Sequence, residues 1–293
     1  METRLAGEDC VARPLSVSAD ASLPAPSRPP ARAAAYALLA LATVAAISTS
    51  GIPTRLVWDD YLLVGDLDSS VDARSLLEPF LSDFFDRAPD STDRHYYRPL
   101  VQVSYLLGVA LFGKEPFFFG LANLLFHLVV CGLLFALLRR WGVAPPAAAL
   151  ATALFGLMPR LTESVYWISG RTDVLASVFV LAALLSWDER AERHGRRILA
   201  GALLLLGLLC KEVALAGTAA LILHEAGRAA TPGPGDSLGA RARLRTFAIR
   251  IAPLLAPVAC YVALRLAVLP GALQTSLSLG LGARLALAAE ALG

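Results

Sequence analysis

The sequence predicts an all-α polytopic membrane protein. Three observations carry that expectation. First, 56% of the 293 residues are hydrophobic and only 17% are charged, against about 25% charged in soluble domains, and the mean hydropathy is +0.60. Second, the apolar residues fall into many separate segments, several near the roughly 20 residues that cross a hydrocarbon core as a helix. Third, the polar residues gather in short connections and in one long loop, residues 51–99. The lipid bilayer is therefore the first expected partner. The net charge of +2 comes from scattered basic residues, which argues against a nucleic-acid partner. Cys10, Cys131, Cys210 and Cys260 show no metal-ligand spacing, and three of them read as small side chains inside apolar runs.

In chain order, residues 1–32 carry five prolines and charges of both signs and read as a disordered tail. Residues 33–293 form one multi-span domain. Residues 33–50 are apolar and rich in small side chains and read as the first span; their Ser-Thr-Ser ending also resembles a signal-peptide cleavage region. In the long loop, Leu76, Leu77, Phe80, Leu81, Phe84 and Phe85 recur at helical spacing, so residues 75–86 read as an amphipathic helix along the membrane surface. Residues 100–113 are apolar but too short to span, which predicts an interfacial or re-entrant helix. Residues 116–138, closed by Arg139-Arg140-Trp141, are the clearest span.

Residues 145–158 read as a short third span and 160–173 as a polar loop. Residues 174–187 read as a fourth span and 188–197 as a charged loop. Residues 198–210 and 213–223 read as a helical pair with Lys211 and Glu212 at the turn. A basic loop, 227–245, precedes a last span, 247–269, broken by Pro253 and Pro257. Residues 281–293 begin a further apolar helix and stop, so the C-terminal end reads as incomplete.

The charges orient this arrangement. With a cytoplasmic N-terminus, the tail and the segments 139–144, 187–197 and 225–250 lie inside. They hold 15 of the 26 Lys and Arg and 9 of the 24 Asp and Glu, net +6 inside against −4 elsewhere, as positive-inside asymmetry requires. Asp59 and Asp60, the 160–173 loop and Lys211-Glu212 then share the outer face. The expected setting is the bacterial inner (plasma) membrane with an outward-facing site.

Acidic residues at a water–lipid boundary are costly and tend to serve a function. Asp59 and Asp60 can act as a base toward a hydroxyl; a solvated acidic turn or a helix N-cap is the plainer reading. Asp66 and Asp68 form an Asp-x-Asp pair able to hold a divalent metal, or an acidic turn. Arg94, Tyr97 and Arg98 stand where the loop re-enters the membrane. Arginine there can snorkel or clamp a phosphate. Glu163, Trp167, Arg171 and Asp173 lie in the 160–173 loop, as an internal Arg–Asp pair or a substrate-facing surface. Lys211 and Glu212 read as a buried ion pair or a phosphate contact. Asn123 and His127 share a helical face and read as interhelical hydrogen-bonding groups.

Together these motifs carry a resemblance. Trp58-Asp59-Asp60, Tyr97-Arg98-Pro99-Leu100 with Ser104-Tyr105, Phe112-Gly113 leading to Pro116, Asn123 with His127, Pro159 and Glu163 leading to Trp167-Ile168-Ser169-Gly170-Arg171-Thr172-Asp173, and Lys211-Glu212 occur in that order. In this the chain resembles the membrane part of the O-mannosyltransferases that carry transmembrane helices and tetratricopeptide repeats, and their bacterial relatives. These resemble the GT-C glycosyltransferases.

The resemblance implies a GT-C helical bundle with a large first outer loop. It implies transfer of a sugar from a polyprenyl-phosphate carrier to a protein or glycan hydroxyl, with inversion at the anomeric carbon. Carried over, Asp59 or Asp60 is the catalytic acid or base, and Arg98, Arg171 and Lys211 meet the carrier phosphate. Arg94, Tyr97, Glu163, Trp167, Asp173 and Glu212 fall in the substrate-facing loops. Two positions depart from the pattern the resemblance implies: Arg160 follows Pro159 where relatives often have a histidine or another polar residue, and Phe119 stands where a histidine is expected before the Asn-x-x-x-His segment. The alternative is a non-catalytic membrane anchor for a partner-binding repeat domain. A transporter ranks third, because the polar residues gather at one face and no inverted repeat is visible.

Overall fold

The computed structural model describes residues 30–68, 70–85, 96–187, 194–231 and 239–269. Helices and turns make up all regular structure among them, with no strand. Ten α-helices appear: α1 (Pro30–Ser48), α2 (Ala73–Leu77), α3 (Pro99–Phe112), α4 (Pro116–Arg140), α5 (Pro145–Gly156), α6 (Thr162–Tyr166), α7 (Arg171–Ser186), α8 (His194–Leu208), α9 (Leu215–Ala230) and α10 (Ala240–Val268). Four helical stretches, Ala31–Gly51, Pro116–Arg140, Ile168–Ser186 and Arg241–Val268, are long and apolar enough to cross a membrane. The chain is an all-α polytopic membrane protein. α5, with 12 residues, reaches about 18 Å and falls short of a full crossing.

α7 is the hub. It packs against α4 on one side and α8 on the other, while α1 and α5 pack beside α4, and α10 covers α8 and α9. Close approaches rest on glycine. Gly201 of α8 lies against the Pro253 carbonyl of α10, where a Cβ would collide with backbone. Proline marks the start of α3, α4 and α5, where its missing N–H costs no helical bond.

The two ends of the bundle differ. The long loop sits at one end, packed on α3 through Leu63, Val64, Phe84, Phe85, Val101, Tyr105 and Leu106. Both ends of α3 remain on this side. The Leu100 N–H reaches the Leu209 carbonyl beyond the end of α8, and Lys114, after the other end, donates to the Gly65 carbonyl at 2.7 Å. α3 therefore does not cross.

Several expectations are corrected. The 75–86 stretch is not one surface helix. α2 ends at Leu77, and a single tight turn, Glu78–Phe80, follows. Pro79 has no N–H to continue the ladder, and Phe84 and Phe85 turn into the core. The 160–173 segment is not a plain loop: it holds α6 and the turn Ile168–Gly170, and Arg171 and Asp173 stand in the first turn of α7. The last span is not broken, since α10 runs through Pro253 and Pro257; packed neighbours keep such helices continuous in an apolar setting. α9 and α10 also take in parts of the expected 227–245 loop. The Lys211-Glu212 turn between two helices is as expected. Most of the expected tail, residues 188–193 of the charged loop and residues 281–293 lie outside the described residues; Pro30–Arg32 belong to α1.

Candidate functional site

The site is built on a tight reversal, residues 57–60. The Asp60 N–H donates to the Val57 carbonyl at 3.0 Å and the Tyr61 N–H to the Trp58 carbonyl at 3.2 Å. The reversal needs a left-handed residue, and Trp58 supplies it at φ +48°, an uncommon conformation for a large side chain. It turns Asp60 inward. One Asp60 oxygen accepts the Val57 N–H at 3.0 Å. The other accepts the Ser169 N–H at 3.0 Å and the Ser169 hydroxyl at 2.7 Å. Asp60 is 1% exposed. Burial pushes its pKa up, opposed by the Ser169 and Val57 hydrogen bonds; the neighbouring Asp59 charge adds to the rise.

Asp59, one residue away, is half-buried and makes no hydrogen bond to any described residue. Trp58 is 81% exposed and meets Trp167 edge-to-face, with ring centroids 5.8 Å apart.

Ser169 is held in place by the residues around it. The Asn123 amide donates to the Trp167 carbonyl at 3.0 Å and the Tyr105 hydroxyl to the Ile168 carbonyl at 2.9 Å. Gly170 is pressed against the Glu163 carbonyl and Ser164, leaving no room for a Cβ. Arg171 is 2% exposed. Its Nε donates to Asn123 at 2.8 Å and its two amino groups to the Phe119 and Ser104 carbonyls at 2.9 and 3.2 Å, with the guanidinium over the Tyr105 ring. Arg171, expected at the carrier phosphate, thus ties α3, α4 and α7 together. His127 bonds the Gly156 carbonyl at 2.9 Å, the interhelical role expected of it and of Asn123.

A second layer is ionic. Lys211 Nζ lies 2.6 Å from Asp173. Glu212 receives Arg98 on one oxygen at 3.2 Å and Arg265 on the other at 3.3 Å. The Arg98 guanidinium lies over the Tyr96 ring, and its Nε is shielded without an acceptor. Three segments far apart in sequence therefore converge at one end of the bundle.

The remaining expected residues lie less centrally. Tyr97 is fully buried and donates to the Phe80 carbonyl at 3.1 Å, a packing role. Glu163 makes an exposed pair with Arg160. Arg94 lies outside the described residues. Asp68 accepts the Ser70 N–H, and among the described residues no three His, Cys, Asp or Glu side chains converge as a metal site. Sequence reasoning named Ser169 and Ser104 only within the motifs of the resemblance, without a role, and missed Arg265. The usable signal for Arg265 was a lone arginine near the end of an apolar span.

The chain matches known proteins over part of its length. It is 35% identical over 116 residues to "Protein O-mannosyl-transferase TMTC1" of Mus musculus, covering 39% of this chain and 12% of that protein. It is 30% identical over 201 residues to "Protein O-mannosyl-transferase Tmtc3" of Drosophila melanogaster, covering 58% and 22%. It is 32% identical over 166 residues to "Protein O-mannosyl-transferase TMTC1" of Homo sapiens, covering 56% and 19%. The matched segments thus span about a fifth or less of these relatives. No family model and no solved structure matches the chain.

Proposed function

We propose that this sequence relative of the protein O-mannosyl-transferases is itself a membrane glycosyltransferase. It moves a hexose, mannose by analogy with its relatives' names, from a polyprenyl-phosphate carrier to a hydroxyl of a protein acceptor. The site faces the non-cytoplasmic side of a bacterial inner membrane, with the N-terminus in the cytoplasm. The observation that carries this reading is the division of labour between neighbouring aspartates. Asp60 spends both oxygens on Val57 and Ser169; Asp59 is held on that frame with its carboxylate unbonded.

The chemistry follows from that frame. Asp59 takes the proton of the acceptor hydroxyl as its oxygen attacks the anomeric carbon. The bond from that carbon to the carrier phosphate breaks, and the prenyl phosphate leaves with the electron pair. Arg98, Lys211 and Arg265 counter the growing negative charge. They now pair with Glu212 and Asp173, which hold them in place until an anion arrives. Arg171 and Asn123 act at one remove, by fixing the 167–171 segment. Attack opposite the phosphate inverts the anomeric centre.

The test is transfer from radiolabelled polyprenyl-phosphate sugars in membranes containing the protein, against membranes without it. Label appearing on acceptor hydroxyls, with mannose leading, is expected. No transfer from any donor, with membrane insertion intact, would move the reading to a non-catalytic anchor.

A further inference from the structure

We infer that Trp58 and Trp167 form a platform on which the hexose ring of the donor rests. This deepens the transferase reading and rests on it. Three observations support the platform.

First, Trp58 is out of place by folding criteria. A left-handed turn position favours glycine or asparagine, and a bulky residue there is strained. Burial does not compensate, because the side chain is 81% exposed. Second, its ring stands nearly perpendicular to that of Trp167, at 87°. The pair forms a corner rather than a closed stack, and an open indole face attracts the polarised C–H groups of a pyranose through its quadrupole. Third, the Trp167 Nε1–H is shielded from solvent and has no acceptor among the described residues. Buried donors are seldom left so, and a sugar hydroxyl would satisfy this one once the indole turns toward the corner.

Position agrees. Trp58 precedes Asp59 in the chain. Trp167 lies six residues before Asp173, the partner of Lys211. The segment 167–173 thus joins the aromatic corner to the cations assigned to the phosphate. A glycosyl phosphate has the same layout, with its ring next to its phosphate. The competing occupant is the bilayer itself, since tryptophan often anchors at the membrane interface.

The experiment compares two ligands on the protein in nanodiscs: a short-chain prenyl-phosphate mannose and the same prenyl phosphate without sugar. Affinities are measured for wild type, Trp58→Ala, Trp58→Phe and Trp167→Phe. Trp58→Ala should weaken the mannose-bearing ligand by roughly threefold to tenfold and leave the bare phosphate unchanged. Trp58→Phe should recover most of the loss. Trp167→Phe, which keeps a ring and removes the N–H, should lose part of it.

Equal weakening of both ligands, or no change in either, would overturn the platform. So would Trp58 emission, isolated by difference with Trp58→Phe, that is quenched by brominated lipid but silent to the sugar. Absence of mannose-dependent binding in wild type would overturn it too. If binding shows the sugar-dependent difference but no transfer occurs, the platform stands and the transferase reading falls. If transfer occurs without that difference, the platform alone falls.

Discussion

Charged and indole side chains gather at both ends of this bundle, and the two clusters are finished differently. At the end away from the long loop, Glu225 is 1% exposed. One of its oxygens accepts the Trp187 indole N–H at 3.0 Å and the other meets Arg250 at 3.2 Å. Arg140 crosses from α4 to the Leu185 and Trp187 carbonyls at the end of α7. Both oxygens of this carboxylate are bonded. At the loop end, among the described residues, Asp59 has no bonded oxygen, and Arg98 Nε and Trp167 Nε1 have no acceptor. Glu212 and Arg98 remain partly exposed. A carboxylate with both oxygens bonded, as at Glu225, holds helices together. One left unbonded, as at Asp59, is available to something that is not protein.

That difference can be broken at either end. The largest effect is expected from Asp59→Asn. Transfer should fall by roughly a hundredfold to ten-thousandfold, the span of a lost general base, with the melting temperature in detergent at neutral pH no lower than that of wild type. Glu225→Gln should do the reverse. Removing one partner of a buried pair costs about 3–5 kcal/mol. Arg250 is partly exposed, so about 2 kcal/mol is expected, read as a lower melting temperature with transfer per folded molecule intact.

Asp60→Asn falls between the two. The side-chain oxygen can still accept from Ser169, but the new amide opposes the Val57 N–H. Roughly tenfold slower transfer is expected, together with about 1–2 kcal/mol of lost stability.

A smaller effect sharpens the role of Asp60. Its folded-state pKa lies above the ordinary carboxylate value, chiefly through burial. Such a group binds its proton more tightly when folded, so its ionisation opposes folding at neutral pH. That opposition is relieved as pH falls through the raised value toward the ordinary one near 3.8. Asp59→Asn removes a like charge and should move this relief to lower pH in stability–pH curves. Asp60→Asn should abolish it. The smallest effect is expected at Glu163→Gln, whose pair with Arg160 is exposed on both sides; neither transfer nor melting should move measurably.

Much of this layout was legible in the sequence. Hydropathy marked the long helices, because a span must be continuously apolar. Charge asymmetry placed Asp59 and Asp60, the 160–173 segment and Lys211-Glu212 on one side, and the structure brings these three together. Other features depended on tertiary partners. Arg171 and Arg98 are the same residue type near the same site. Only packing shows that Arg171 is consumed by Asn123, Ser104 and Phe119 while Arg98 is not. Nothing local to Asp59-Asp60 tells the bonded aspartate from the unbonded one, because Ser169, which decides it, lies 109 residues away. The 75–86 periodicity misled because Pro79 ends the helix and Phe84 and Phe85 bury themselves in the core.

The central claim is that Asp60 holds the loop and Asp59 does the chemistry. The most direct measurement is the transfer rate per folded molecule for Asp59→Asn beside wild type, with thermal melts on the same samples. A fully folded Asp59→Asn protein with transfer lost is the expected result. A folded Asp59→Asn protein that transfers at the wild-type rate would contradict the claim.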